Sequence, residues 1–433
     1  MIDEHALDQV LATVGEVVEG RGVAGLSVAV GIGREIRAGV GGSRGGGTAD
    51  AIAERTLFQA ASVSKPVAAA AALRLASQGR LDLDADVNDA LRTWKVPAVD
   101  GWTPRLTVRH LLTHSAGLTV HGFPGYPAGA EVPSVGGVLS GEGNTDAVES
   151  FLVPGLQPVY SGGGFTVLQQ LLMDVTGREF APLLAELVLE PSGMEAATFE
   201  QPLPPDRHVD AAVGHTASGD PVHGGWHVYP EQAAAGLWCT PTDLIRFASA
   251  IRDGRLLGPE LTAEMLREQV PGWGLGVMLT NADQARFKHD GHNHGFLAAF
   301  ESAVHEPIAV AAMTNSEEGG PALVNLVTEL SRLLGWGSPS AGPALEPSAL
   351  VRACCGTYVT PMGHSLTVGA GQTLTLSVDG QPPIPLQPFS ATVWAAGPLR
   401  AEIRFEPVDG AASALVLRQH GVDHPATVAD VGL

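Results

Sequence analysis

The sequence predicts an α+β domain followed by a small all-β unit, and three observations carry that prediction. Alternating apolar runs around a glycine turn, "GLSVAVGIGREIRAGVGG", read as a β-hairpin near the start. Strand-like segments return only after a long helical middle, as "GWGLGVML", "ARFKHDG", "GFLAAFES" and "IAVAAMTN", and "PALVNLVTELSRLLGW" then closes with apolar residues at helical spacing. Beyond that helix the texture changes to short alternating strands: "HSLTVG", "TLTLSVDG", "ATVWAAG", "AEIRFEPVDG" and "SALVLRQHG". Strands on both sides of the helical middle are expected to share one antiparallel sheet, flanked by helices, with a helical region of about residues 66–270 inserted. The domain limits that follow are 1–336 for the α+β unit, a linker at 337–348 ("GSPSAGPALEPS", no periodic apolar face) and a β-barrel over 349–433.

Bulk properties narrow the function. At 433 residues the chain is too long for one ordinary domain, and 45% hydrophobic residues suffice for sizeable cores. Lys+Arg 25 against Asp+Glu 46 gives a formal charge of −21, which repels phosphate backbones and anionic lipid heads. Nucleic acid and membrane surfaces are therefore not expected partners. The first residues, "MIDEHALDQVLATVGEVVEG", are acidic and helical in pattern, unlike a secretory signal. Cys239, Cys354 and Cys355 are an odd set with two adjacent members, so a disulfide framework is not expected and a cytoplasmic location is.

Chemistry concentrates in "FQAASVSKPVAAAAALRLASQG", Phe58 to Gly79. Alone, this pattern describes a core helix with Ser62 as N-cap, Ala and Leu as good helix formers, and Pro66 in the first turn. Ser62 and Lys65 lie three apart, however, and so share a helix face. An ammonium pressed between apolar walls loses proton affinity and becomes a usable base.

Two further stretches follow in order: Tyr160-Ser161-Gly162, then His289-Asp290-Gly291. With Ser62-Val63-Ser64-Lys65 they resemble the three motifs of the penicillin-recognising serine hydrolases: class C β-lactamases, DD-peptidases, and related esterases and D-amino-acid peptidases. The segments "RLDLDADV", "LTVRHLLTHSAGL", "AAGLWCTPTDLIRFASAI" and "MTNSEEGGPALVNLV" look familial too, and the resemblance spans about residues 5–335. It implies a β-lactamase/transpeptidase-like fold, with the last unit similar to the lipocalin-like barrel appended to some members. It further implies Ser62 as acylated nucleophile, and Lys65 and Tyr160 as the proton-transfer pair, with the Tyr160 phenolate favoured by the nearby ammonium. The backbone N–H groups of Ser62 and His292 would form the oxyanion hole, with His289, Gly291 and Gly162 against the substrate. No cofactor or metal is implied.

Two departures from the family pattern bear on the substrate. Gly162 stands where the family often has Asn, and His289 where β-lactamases have Lys, replacing a permanent cation with a group largely neutral at pH 7. Both favour esters or small amides and peptides. The alternatives are a β-lactamase, a D-amino-acid peptidase, or a catalytically silent acylatable sensor.

Competing motifs are weaker. Gly41-x-Ser43-x-Gly45 matches a nucleophile elbow but runs into more glycine rather than a helix. His289, Asp290, His292 and His294 could suggest a metal, yet His289 points away from the other two histidines in a strand. His110 and His114 have i, i+4 spacing and read as a structural helix terminus. Asp82, Asp84 and Asp86 mimic a calcium loop with Val87 where Gly is required. Trp226, Tyr229 and Trp238 fit a substrate cleft or a core equally.

Overall fold

The computed structural model describes residues 4–21, 23–45, 50–99, 103–155, 158–280, 285–336, 354–361, 365–370, 374–379, 383–388, 393–396, 401–408, 411–419 and 422–429. It divides into two compact units, Met1–Gly337 and Ser338–Leu433. The expected linker, 337–348, lies outside the described residues. No helix of the described residues is long and apolar enough to cross a membrane.

The first unit is built on a six-stranded antiparallel sheet. The predicted hairpin is β1 (Gly25–Ile32) and β2 (Glu35–Gly42), in register from Gly25↔Gly42 to Ile32↔Glu35. A short ladder, β3 (Phe58–Gln59) with β4 (Trp238–Cys239), ties the two ends of the helical middle together. The later strands are β5 (Met278–Thr280), β6 (Arg286–Asn293), β7 (Phe296–Ala303) and β8 (Ile308–Thr314), and the sheet order is β2-β1-β8-β7-β6-β5. Non-adjacent parts of the chain thus meet through β1 and β8, paired as Leu26↔Thr314 to Ile32↔Ile308. One expectation shortens: "GWGLGVML" is strand only from Met278, because its first residues turn and Gly276 lies tight against Ala69.

Alternation along β1 explains how both faces are covered. Leu26, Val28 and Val30 enter one core with Leu7, Leu11 and Val14 of the N-terminal helices and with Leu326 and Leu330 of the Gly320–Leu333 helix. On the opposite face Ser27, Ala29 and Gly31 are small, which lets the Pro241–Arg252 helix approach closely through Ile245. That second face carries the main core, where the Ser64–Ser77 helix is buried almost all round. A helix without a polar face belongs in an interior, and its Ala-rich surface packs there at close range.

In the second unit the described strands form one antiparallel sheet of nine. Its two edge strands, Ile384–Pro385 and Gln387–Pro388, are separated only by Leu386. The two edges are thus adjacent in the chain, and the sheet is a half-barrel. Tyr358, Leu366, Leu376, Trp394, Ile403, Phe405 and Leu415 fill its core.

Candidate active site

Ser62 sits in a single 3₁₀ turn, Ala61–Val63, immediately before the long helix. The residue before it, Ala61, has φ +50, a costly backbone for a residue with a Cβ. Ser64 holds the turn in place: its Oγ donates to Ala61 O at 2.6 Å and accepts from Leu237 N–H at 2.9 Å. Ala60 N–H adds a bond to Leu237 O at 2.8 Å. A strained turn fixed this firmly is typical of functional sites. Ser62 is not the predicted N-cap, since the helix begins at Ser64 and Val63 precedes it without a side-chain cap. Its oxygen faces Lys65 instead.

Lys65 is 2% exposed. Its Nζ lies 2.9 Å from Ser62 Oγ and 2.8 Å from Ala234 O. Burial, with no anion offered in return, lowers its pKa to about 7. As a free amine it can donate one N–H to Ala234 O and accept the Ser62 proton through its lone pair. The same contacts therefore serve both protonation states.

Tyr160 covers this pair, with Lys65 Nζ 4.9 Å from its ring centroid. The expected phenolate is not what the surroundings favour. Burial pushes the Tyr160 hydroxyl well above its ordinary value, and a hydrogen bond with Ser62 only partly offsets that. Tyr160 stays protonated at neutral pH.

The third motif lies on β6, whose backbone presses against the Ser62 turn. A Cβ on Gly291 would stand 2.3 Å from Ala60 O and 2.9 Å from both Ala61 Cβ and Ser62 N. Only glycine permits that approach. His292 is the next residue on the strand, and its side chain is exposed. His289 is buried, and its Nδ1–H donates to Asp290 O at 2.7 Å, leaving Nε2 buried without a partner. Burial pushes its pKa down to about 3, helped by the nearby Lys65 charge, so the ring is neutral. Gly162 opens the Gly162–Thr176 helix, and a Cβ there would meet Phe123 Cε2 at 2.8 Å. An aromatic ring occupies the space next to position 162.

Two residues that carry geometry here were not assigned to the site from sequence. Ala234 contributes only a carbonyl, which no motif could reveal. The i, i+4 spacing from His110 predicts a helix terminus at His114; the helix, Val108–Leu112, ends before it, and His114 sits in a turn at φ +55. Its ring is 4.3 Å from that of Tyr160 and 4.5 Å from that of Trp273. The familial segment "LTVRHLLTHSAGL" was the available signal.

The competing motifs resolve separately. Ser43 Oγ donates within its own loop, to Gly45 O at 2.8 Å. Asp84 forms an ion pair with Arg109 at 2.8 Å, so the acidic turn between helices is spoken for. His292 and His294 face Glu317, at 3.7 and 3.1 Å, while His289 points inward. Among the described residues no three His, Cys, Asp or Glu side chains are grouped to hold a metal. Tyr229 and Trp238 are fully buried core residues. Trp226 packs on Trp238 at 5.2 Å and lines a cavity of about 370 Å³ with Arg44, Asp50 and His208, none of them in the Ser62 cluster.

The chain belongs to the Beta-lactamase family, whose model matches residues 10–330. Esterase EstB of Burkholderia gladioli is 29% identical over 267 residues, 52% of this chain and 67% of that protein. The octameric penicillin-binding protein homologue from Pyrococcus abyssi has a TM-score of 0.65 at 19% identity, over 97% of this chain and 100% of that one. The D-amino acid amidase from Ochrobactrum anthropi SV3 has a TM-score of 0.62 at 21% identity, over 76% and 98%. At these identities the two structures show a common fold.

Proposed function

We propose that this protein is a serine hydrolase that acts through an acyl-enzyme on esters or small amides and peptides. The carrying observation is the Ser62 Oγ held 2.9 Å from a buried Lys65 amine whose pKa is lowered to about 7. Lys65 takes the Ser62 proton as the oxygen attacks the substrate carbonyl. The backbone N–H groups of Ser62 and His292 are assigned to hold the oxyanion, and the close approach of the strand to the Ser62 turn at Gly291 supports that assignment. Tyr160, still protonated, gives its phenolic proton to the leaving group and is resupplied by Lys65. Water then hydrolyses the Ser62 ester by the reverse proton path.

Substrate class follows from charge. His289 is neutral and its free ring nitrogen is a lone pair, so that position offers no cation to a substrate carboxylate. Carboxylate-bearing lactams lose an attraction that esters do not need. The similarity to an esterase supports the ester reading, and that to a D-amino acid amidase supports small amides. Cys239 and Cys354, buried and free, support a reducing, cytoplasmic location.

The test is parallel turnover of p-nitrophenyl butyrate, a chromogenic cephalosporin and a D-amino-acid amide by wild type and Ser62→Ala. Ester or amide turnover should exceed that of the cephalosporin and fall at least about 10³-fold in the variant. Equal turnover by wild type and Ser62→Ala would overturn the assignment, and so would a stable adduct with no turnover of any substrate.

A further inference from the structure

His114 carries two costs at once. Its backbone is left-handed, φ +55, in a residue with a Cβ. Its Nε2 is buried with no partner. Ser161 N–H donates to Nδ1 at 3.1 Å, so Nδ1 must be the acceptor and the ring proton must sit on Nε2. An unpartnered buried N–H is expensive, and strain of this kind persists where surrounding structure enforces it for a purpose.

What the strain maintains is specific. Val159 N–H donates to His114 O at 2.7 Å, and Ser161 N–H to His114 Nδ1 at 3.1 Å. These are the two residues on either side of Tyr160. The imidazole itself lies on the Tyr160 ring, with centroids 4.3 Å apart, and is backed by Trp273 at 4.5 Å and Phe165 at 5.2 Å. The left-handed turn allows one residue to present both its carbonyl and its ring to the same short segment. Burial and the Lys65 charge hold the imidazole pKa well below its ordinary value, so the ring remains neutral and keeps its acceptor.

We propose that His114 is a positioning residue for Tyr160: it grips Val159 and Ser161 and stacks on the phenol, fixing the hydroxyl over Ser62 and Lys65. It touches neither substrate nor reacting atoms. The proposal rests on the acyl-enzyme reading above and adds a residue to it.

The test uses the full-length protein and p-nitrophenyl butyrate. Asn at position 114 retains an acceptor where Nδ1 stood and tolerates a left-handed backbone. Gln has the polar group one bond farther out and loses that acceptor. His114→Ala should lower kcat about 30- to 100-fold, the scale of a misplacement near 1 Å, with KM changed less than about threefold. His114→Asn should return to within about fivefold of wild type, and His114→Gln should not. In a Tyr160→Phe background His114→Ala should cost less than about twofold, because the phenol it positions is gone. Equal losses from His114→Ala in both backgrounds would overturn the proposal, as would Gln rescuing better than Asn. Should the Ala variant not fold, the Asn and Gln pair decides, each introduced with and without Tyr160→Phe. Full turnover by Ser62→Ala would instead sink the acyl-enzyme reading, a different result from any of these.

Discussion

Gly291→Ala puts the proposed oxyanion geometry to a quantitative test. The new Cβ would lie 2.3 Å from Ala60 O and 2.9 Å from Ser62 N, where ordinary contact begins at 3.4 Å. These neighbours are mainly backbone, and Ser64 locks their turn to Leu237, so the turn cannot yield cheaply. β6 must therefore retreat by about 1 Å, taking the His292 N–H with it; a displacement on that scale costs about 10²-fold. Removal of a single oxyanion donor costs a similar 10²- to 10³-fold, or roughly 3 kcal/mol in the transition state. The expected result is a fall in kcat of about 100-fold with p-nitrophenyl butyrate, KM shifting much less, in a protein that still unfolds cooperatively by circular dichroism. A folded Gly291→Ala variant with kcat within about threefold of wild type would refute the reasoning.

Other expectations follow from the same geometry. Because Lys65 must lose its proton to act, kcat/KM should rise with pH through about 7 and stay flat above it, where Tyr160 remains protonated. Glu231, a buried carboxyl pushed up to about 7, is the competing source of that inflection, so Glu231→Gln should leave it in place; a profile flat from about pH 5.5 to 9 would contradict the role of Lys65. The lowered Lys65 pKa also costs stability: the unfolded chain binds the proton more tightly, so this cost is largest below pH 7 and fades as pH rises toward the unfolded value. Lys65→Met should then stabilise the fold, with an advantage larger at pH 6 than at pH 9 by roughly 2–3 kcal/mol in denaturant titrations; a pH-independent advantage would count against it. Gly162→Ala should destabilise by about 1–3 kcal/mol, because its Cβ meets Phe123 at 2.8 Å, and added Phe123→Ala should recover part of the loss. No recovery would mean that the two do not compete for space.

Much of the fold was legible because period and order are local signals. The hairpin, the strands from Arg286 onward and the closing helix all follow from alternation or helical spacing that tertiary packing then reinforced. The Ser62–Lys65 relation was legible too, since three residues along a helix fix a shared face. The remainder depends on what burial does to each group. Lys65 and Tyr160 are shielded by the same interior, which favours the neutral amine and the neutral phenol, whereas the pairwise rule suggested phenolate. Nothing local could show that Ser64, not Ser62, would fix the turn, or that Phe123 would fill the space beside Gly162. His114 escaped because its helix stops two residues earlier and its partners, Val159 and Ser161, are remote in sequence.

The most direct measurement is covalent capture of the nucleophile with a fluorophosphonate, read by intact mass and peptide mapping while ester turnover is followed on the same sample. If Ser62 is the activated hydroxyl, a single adduct should form on the peptide containing Ser62, at a rate that rises through about pH 7, with turnover lost in proportion. Ser62→Ala should take up no label. Labelling at Ser43 or elsewhere with Ser62 untouched, or full turnover by a protein labelled completely at Ser62, would contradict the account.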